Sequence, residues 1–227
     1  MNIGILGTSV VSQTISGKLV ELGHNVVVGT RDVATTLART DPHPLGLPPF
    51  SVWLQQHPGA HVGTFADAAK HAEIVINATN GMASLEALNQ ASEAHLGGKI
   101  LMDIANPLDF SKGMPPTLSL CNTDSLGEQI QRAYPHVKVV KTLNTVTASL
   151  MANPRQLADG DHHIFVSGND AQAKAHVADL LTTWFGWKHI IDLGDITTAR
   201  GTEMYVPIWL RLWGALGTGV FNIQVIK

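Results

Sequence analysis

The chain has 227 residues, a formal net charge of −3 and one cysteine. That length fits one large domain or a domain with a modest appendage. The charge provides no footprint for nucleic acid or an anionic membrane, and the lone Cys121 excludes an intrachain disulfide and a multi-cysteine metal site. No signal peptide is expected, because a strand starts at the third residue without a basic leader or cleavage site. The longest apolar stretch, 206–221, is broken by Pro207, Arg211 and three glycines, so no bilayer span is expected. Together these features suit a soluble cytoplasmic protein.

The first thirty-two residues organise the rest. A short apolar run (Ile3, Ile5, Leu6) ends at Gly7 and is followed by Thr8-Ser9. Apolar residues at Val11, Ile15, Leu19 and Leu22 then recur with helical spacing up to Gly23. A second run, Val26-Val27-Val28, closes on Gly29-Thr30-Arg31-Asp32. This is a strand–turn–helix–strand unit of the length a βαβ nucleotide-binding module needs. A helix N-terminus offers unpaired N–H groups and partial positive charge, so a pyrophosphate can dock there without a cationic side chain. The turn departs from G-x-G-x-x-G, with Ser9 and Ser12 at the second and third glycine positions. Where an NAD enzyme places an acid at the end of the second strand, Thr30 and Arg31 offer a hydroxyl and a guanidinium. These suit a 2′-phosphate, so the expected cofactor is NADP(H). Asp32 reads as the cap of the next helix.

Downstream, 33–39 reads as a short helix and 40–49, with four prolines, as a loop. Helix 50–57, strand 61–65 and helix 66–71 lead to a buried strand at 73–78, which ends in Thr79-Asn80-Gly81. A helix over 82–96 precedes strand 99–104, which ends in Ala105-Asn106-Pro107. Residues 107–123 form a long irregular segment of a length that is often functional. Helix 125–134 and strand 137–141 lead to Leu143-Asn144-Thr145. Strand 162–167, helix 170–184 and strand 188–193 follow. A helical segment over 195–216, expected to kink at Pro207, ends the chain with an apolar tail. Eight strands alternating with helices predict a doubly wound, mainly parallel sheet of Rossmann-like type. Residues 1–194 would form the nucleotide-binding domain, and 195–227 a C-terminal extension capping its substrate side. Asn80, Asn106 and Asn144 end successive strands, at the edge where open α/β sheets bind ligands. Their amides can bond ribose, pyrophosphate or a carboxamide.

Three other patterns carry less. Tyr134 and Lys138 have short-chain-dehydrogenase spacing, but Pro135 ends the helix that this chemistry requires. His162 and His163 are strand neighbours on opposite faces, so the pair cannot chelate one ion. Cys121 has no adjacent base to activate it. No acid–base pair stands out, which suits hydride transfer to another electron carrier.

Several stretches carry a family resemblance: GILGTSVV with VVVGTRD, ANPLDFSKGMPPTLS with NTDSLGEQIQRA, VVKTLNTV, HIFVSGND, and IIDLGDITTARGTEMYVPIWLRLWGALGTGVFNI. On these the whole chain resembles the NADPH-dependent coenzyme F-420 reductases, which are deazaflavin oxidoreductases. The resemblance implies NADP held by Thr8, Ser9, Thr30 and Arg31, and a nicotinamide near the loops at Asn80 and Asn144. It also implies a deazaflavin stacked beneath the C-terminal segment near Met204, direct hydride transfer and a homodimer. The candidate cofactor contacts are Gly7, Thr8, Ser9, Val10, Val11, Thr30, Arg31, Thr79, Asn80, Gly81, Asn106 and Asn144. The candidate substrate contacts are Thr145, Met204 and Tyr205. The partner would be a small-molecule electron carrier, a deazaflavin or a flavin. Two alternatives stay open: an imine or ketone reductase of the pyrroline-carboxylate reductase type, and an NADP-binding redox sensor without turnover.

Overall fold

A computed structural model describes residues 1–40 and 48–227. Most of the loop expected at 40–49 therefore lies outside the described residues. Ten strands and ten α-helices are assigned among them. In chain order the strands are β1 (Asn2–Leu6), β2 (Asn25–Thr30), β3 (Ala60–Thr64), β4 (Ile74–Asn77), β5 (Ile100–Asp103), β6 (Leu108–Asp109), β7 (Thr117–Leu118), β8 (Lys138–Thr142), β9 (His163–Ser167) and β10 (His189–Gly194). The helices are α1 (Val10–Glu21), α2 (Val33–Ala38), α3 (Phe50–Gln56), α4 (Phe65–His71), α5 (Ser84–Ala91), α6 (Glu93–Leu96), α7 (Leu126–Ala133), α8 (Ala148–Ala152), α9 (Ala171–Leu180) and α10 (Ala199–Leu216).

Eight strands make one sheet in the order β3-β2-β1-β4-β5-β8-β9-β10. The six from β3 to β8 are mutually parallel, as crossover helices require. β9 pairs antiparallel to β8, and β10 is parallel to β9. The order reverses between β1 and β4, and a doubly wound sheet opens its ligand crevice at such a point. β6 and β7 pair as a small antiparallel ribbon, so the segment expected to be irregular over 107–123 carries a short hairpin.

Alternation along the strands sorts the core into two layers. Ile3, Ile5, Ile76, Met102 and Val140 pack on one face with Ile15, Leu19 and Trp53. Leu6, Val75, Leu101 and Val139 pack on the other with Leu88, Leu126 and Ile130. Local caps set several helix starts. Ser9 Oγ accepts the Ser12 N–H ahead of α1, and Asp32 accepts the Thr35 N–H ahead of α2, as expected of that aspartate. Thr64 and Asp67 form a reciprocal capping box at α4.

One helix differs from expectation. The helix expected over 82–96 is divided: a single 3-10 turn and α5 end at Ser92, whose positive φ of 73° separates α5 from α6. α10 runs unbroken through Pro207. No helix among the described residues is long and apolar enough to cross a membrane.

Candidate functional site

Two cavities open at the carboxyl ends of the parallel strands. The larger encloses about 540 Å³ and the smaller about 280 Å³. Ser9, Ala78, Thr79 and Asn80 line both, so the two form one groove across the switch point.

The smaller cavity holds the residues expected to choose the cofactor. Gly7, Thr8, Thr30 and Arg31 line it, with Arg39, Glu86 and Gln90 opposite. Gly7 has a φ of +107°, and a Cβ there would stand 2.8 Å from the Ala78 carbonyl oxygen. Only glycine allows β1 to turn this close to the end of β4. Arg31 is exposed, with Nε 3.8 Å from Glu86 Oε1. Thr30 is buried, and its hydroxyl shares a 2.7 Å hydrogen bond with that of Thr36.

The serines of the variant turn have separate structural work. Ser9 Oγ caps α1 and donates to the Ala78 carbonyl at 3.3 Å. Ser12 is fully buried and donates to the Gly7 carbonyl at 2.6 Å. Its hydroxyl thus staples the helix to the turn where the fingerprint would have a glycine.

The larger cavity gathers Ser9, Val10, Val11, Thr79, Asn80, Gly81, Asn106, Asn144 and Thr145 from the expected set. The three asparagine loops do converge here, but their amides are partly committed. Asn106 Nδ2 donates to the Asn144 carbonyl at 2.8 Å, and Asn144 Nδ2 donates to Asn106 Oδ1 at 3.0 Å. Asn80 Oδ1 accepts the Met82 N–H. Gly81 is required, since a Cβ would lie 2.1 Å from the Asn106 carbonyl oxygen. Two buried polar atoms on this wall, Thr145 Oγ1 and Trp209 Nε1, have no hydrogen-bond partner among the described residues.

Met204 and Tyr205 stand outside the cavity. Met204 lies on the outer side of α10, where its sulfur accepts the Asn122 N–H at 3.3 Å. The helix presents Val206, Trp209, Leu210 and Trp213 instead, at the spacing of a single helical face. That periodicity is present in the sequence, but Met204, Ile208, Leu212 and Leu216 recur at helical spacing as well, so spacing alone does not choose between the two faces. Trp209 stacks on Phe221 with centroids 5.4 Å apart and lies 5.8 Å from Trp213. The tail behind it is tied to β9, where the His163 N–H donates to the Ile223 carbonyl. Phe110, from the 107–123 segment, closes the other side.

Behind these walls lies a buried charged cluster that sequence reasoning missed. Lys141 Nζ sits 2.9 Å from Asp103 Oδ2 and 2.8 Å from Glu203 Oε1, and all three side chains are almost wholly buried. It also donates to the Ala105 carbonyl. Burial opposes the charge on Lys141, yet the two carboxylates hold its pKa above the ordinary lysine value. Nearby, the Arg200 guanidinium holds Glu128 below the usual carboxylate range.

The patterns set aside in the sequence stand apart from the groove. Tyr134 ends α7, and Lys138 pairs with Asp170 at 3.2 Å. His162 is buried against the Pro154 carbonyl, whereas His163 stacks on His189.

A mainly parallel sheet with a glycine turn and a helix N-terminus at its switch point defines the dinucleotide-binding class of fold. The family described as "NADP oxidoreductase coenzyme F420-dependent" matches over residues 2–107. A candidate F420-dependent NADP-reductase from Arthrobacter sp. FB24 is 59% identical over the whole of both chains, with a TM-score of 0.95. The chain belongs to this family and is an NADP-dependent oxidoreductase. Rat (Rattus norvegicus) metalloreductase STEAP3 is 27% identical over 224 residues, and the chain spans 40% of the length of that protein. An imine reductase from Myxococcus stipitatus in complex with NADP+ shares the fold, with a TM-score of 0.62 at 17% identity over 96% of this chain and 63% of that one.

Proposed function

We propose that the protein transfers a hydride between NADP(H) and a deazaflavin carrier in the larger cavity. The composition of the lining carries this reading. Every described side chain there is apolar, aromatic, a hydroxyl or an amide. Reduction of a ketone or imine calls for a proton donor held at the substrate oxygen or nitrogen. A fused ring that spreads the incoming charge calls for stacking and exclusion of water. Trp209, Trp213 and Phe110 provide aromatic surface for that, and the adjoining second cavity favours turnover over a sensor with an occluded cofactor.

The residues fit the nucleotide on structural grounds. Gly7 leaves the space that a Cβ would fill, α1 points its N-terminus into the groove, and Arg31 stands at the end of β2 for a 2′-phosphate. Asn80, Asn106 and Asn144 border the place for the nicotinamide. The unpartnered Thr145 hydroxyl and Trp209 indole N–H mark where small adjustments would meet polar edges of a bound ring. When bound, NADPH would supply a hydride for the carrier. The protein's part is to hold the two groups beside Asn80, Asn106 and Asn144 on one side and Trp209 on the other, and to keep water out.

The test is to mix purified protein with NADPH and, separately, oxidised deazaflavin, flavin mononucleotide and cyclic imines, following nicotinamide absorbance. Consumption with deazaflavin is expected. Turnover with imines alone would replace this reading with the reductase alternative, and turnover with none would leave the sensor. We also propose a homodimer through α10, whose exposed Met204, Ile208, Leu212 and Leu216 recur every four residues. A monomer in sedimentation at micromolar concentration would refute it.

A further inference from the structure

The Asp103–Lys141–Glu203 cluster ties together β5, β8 and α10, three of the elements that wall the groove, and the proposed reaction makes no use of its charges. Lys141 sits near the end of β8, three and four residues before Asn144 and Thr145. Asp103 ends β5, directly ahead of Ile104, Ala105 and Asn106. Glu203 lies on α10, three residues before Val206 and six before Trp209. The lysine has three N–H groups, and Asp103, Glu203 and the Ala105 carbonyl take them.

The second carboxylate leaves the cluster one negative charge in excess, and the backbone answers it. Glu203 accepts the Leu126 and Gly127 N–H groups at 2.8 and 3.1 Å, in the opening turn of α7. Asp103 accepts from Asn77 Nδ2 at 2.8 Å. Asn77 Oδ1 in turn accepts the Thr79 hydroxyl at 2.7 Å. Thr79 lines both cavities. One hydrogen-bonded chain therefore runs from α10 through the ammonium to the nucleotide loop.

Stability alone does not account for this arrangement. A buried ion cluster generally does no better than apolar residues of similar volume, and the surrounding layer of Leu101, Leu126, Ile130 and Val139 is apolar. Apolar packing fixes volume and shape, whereas three hydrogen bonds from one ammonium also fix the register of α10 against the ends of β5 and β8.

We propose that Lys141, held between Asp103 and Glu203, is a positioning residue that fixes the height of α10, the carrier-side wall, above the strand ends that hold the nucleotide. The proposal rests on the carrier reading of the larger cavity, so wild-type turnover is established first, and its failure would count against that reading alone. Glu203→Gln is the direct variant. One amide oxygen can still accept from α7, but the amide NH2 then meets another donor. The expected result is a kcat/KM for the carrier lowered ~ten- to hundredfold, as misplacement of the reacting rings by about an ångström costs. NADPH affinity by direct titration should be unchanged. Amide exchange should quicken in 203–213, a readout independent of the carrier's identity. A neutral triple variant, Asp103→Asn with Lys141→Met and Glu203→Gln, leaves no unpaired buried charge and should show the same split. Equal loss toward NADPH and carrier, or no change in a folded variant, would overturn the proposal. Failure of both variants to fold would overturn it too, by assigning the cluster to stability.

Discussion

Arg31 should decide between NADPH and NADH, and its setting allows the effect to be worked out. Its side chain is 66% exposed, and its ionic neighbour Glu86 is 59% exposed at 3.8 Å. A surface pair of that kind contributes about 0–1 kcal/mol, so Arg31→Ala should leave folding almost unchanged. Against a 2′-phosphate the same guanidinium would make charge-assisted bonds of about 1.5–3 kcal/mol. At about 1.4 kcal/mol per decade, NADPH binding should weaken roughly ten- to hundredfold. NADH lacks the phosphate and should bind as before. Titration of nicotinamide fluorescence with each coenzyme, beside a thermal melt, measures both quantities. Equal weakening of the two coenzymes would refute the assignment. Arg39 borders the same cavity, so the double variant with Arg39→Ala should weaken NADPH further if both guanidiniums face the phosphate.

Gly7→Ala should destabilise by about 1–3 kcal/mol from backbone strain alone, since φ is +107°, with a further cost from the 2.8 Å approach to Ala78; an unshifted melting temperature would contradict it. Gly81→Ala should displace the loop after β5 and weaken NADPH, because its Cβ would meet the Asn106 carbonyl at 2.1 Å; unchanged affinity would show that the loop yields freely. Trp209→Ala should raise the KM for the carrier more than it weakens NADPH, since Trp209 lines the larger cavity and not the smaller one that would take the 2′-phosphate end; equal effects on both would place the indole against the nicotinamide instead. Glu128 has a folded pKa lowered from 4.5, chiefly by its hydrogen bond to Arg200. Its contribution to stability is therefore fully present above 4.5 and lost as pH falls through the lower folded value. Arg200→Gln should flatten that acid limb in denaturant melts, and an unchanged limb would assign the acid sensitivity to other carboxylates.

Much of this architecture was legible because it depends on local periodicity. The spacing of Val11, Ile15 and Leu19 between two apolar runs marks a crossover helix, and β1, α1 and β2 follow from it. Asn80, Asn106 and Asn144 meet at one cavity because parallel strands put their carboxyl ends on one edge. Met204 and Tyr205 lie outside the cavity: helical spacing identifies a helix without saying which face turns inward. Val206, Trp209 and Trp213 face the cavity because Glu203, buried on Lys141 and the first turn of α7, sets the rotation of α10. Lys141 was harder still. A lysine at a strand end ordinarily faces solvent. Its partner Asp103 stands 38 residues back and Glu203 is on the last helix, so nothing local marks the contact.

The two serines of the first turn show how a broken fingerprint can keep its physics. A glycine at the third position allows close packing of helix on strand. Ser12 reaches the same closeness differently, by burying its hydroxyl on the Gly7 carbonyl at 2.6 Å. That bond satisfies a carbonyl at a point where the chain turns too sharply for a ladder partner on that side. A glycine at the second position lets backbone approach the pyrophosphate, and Ser9 instead caps α1. The cap takes the Ser12 N–H, leaving the N-terminal N–H groups ahead of it directed at the groove. What the turn must keep is Gly7, whose positive φ and contact with Ala78 admit no side chain. The requirement therefore falls on one glycine, and the other two positions can carry serine so long as each hydroxyl has a backbone partner.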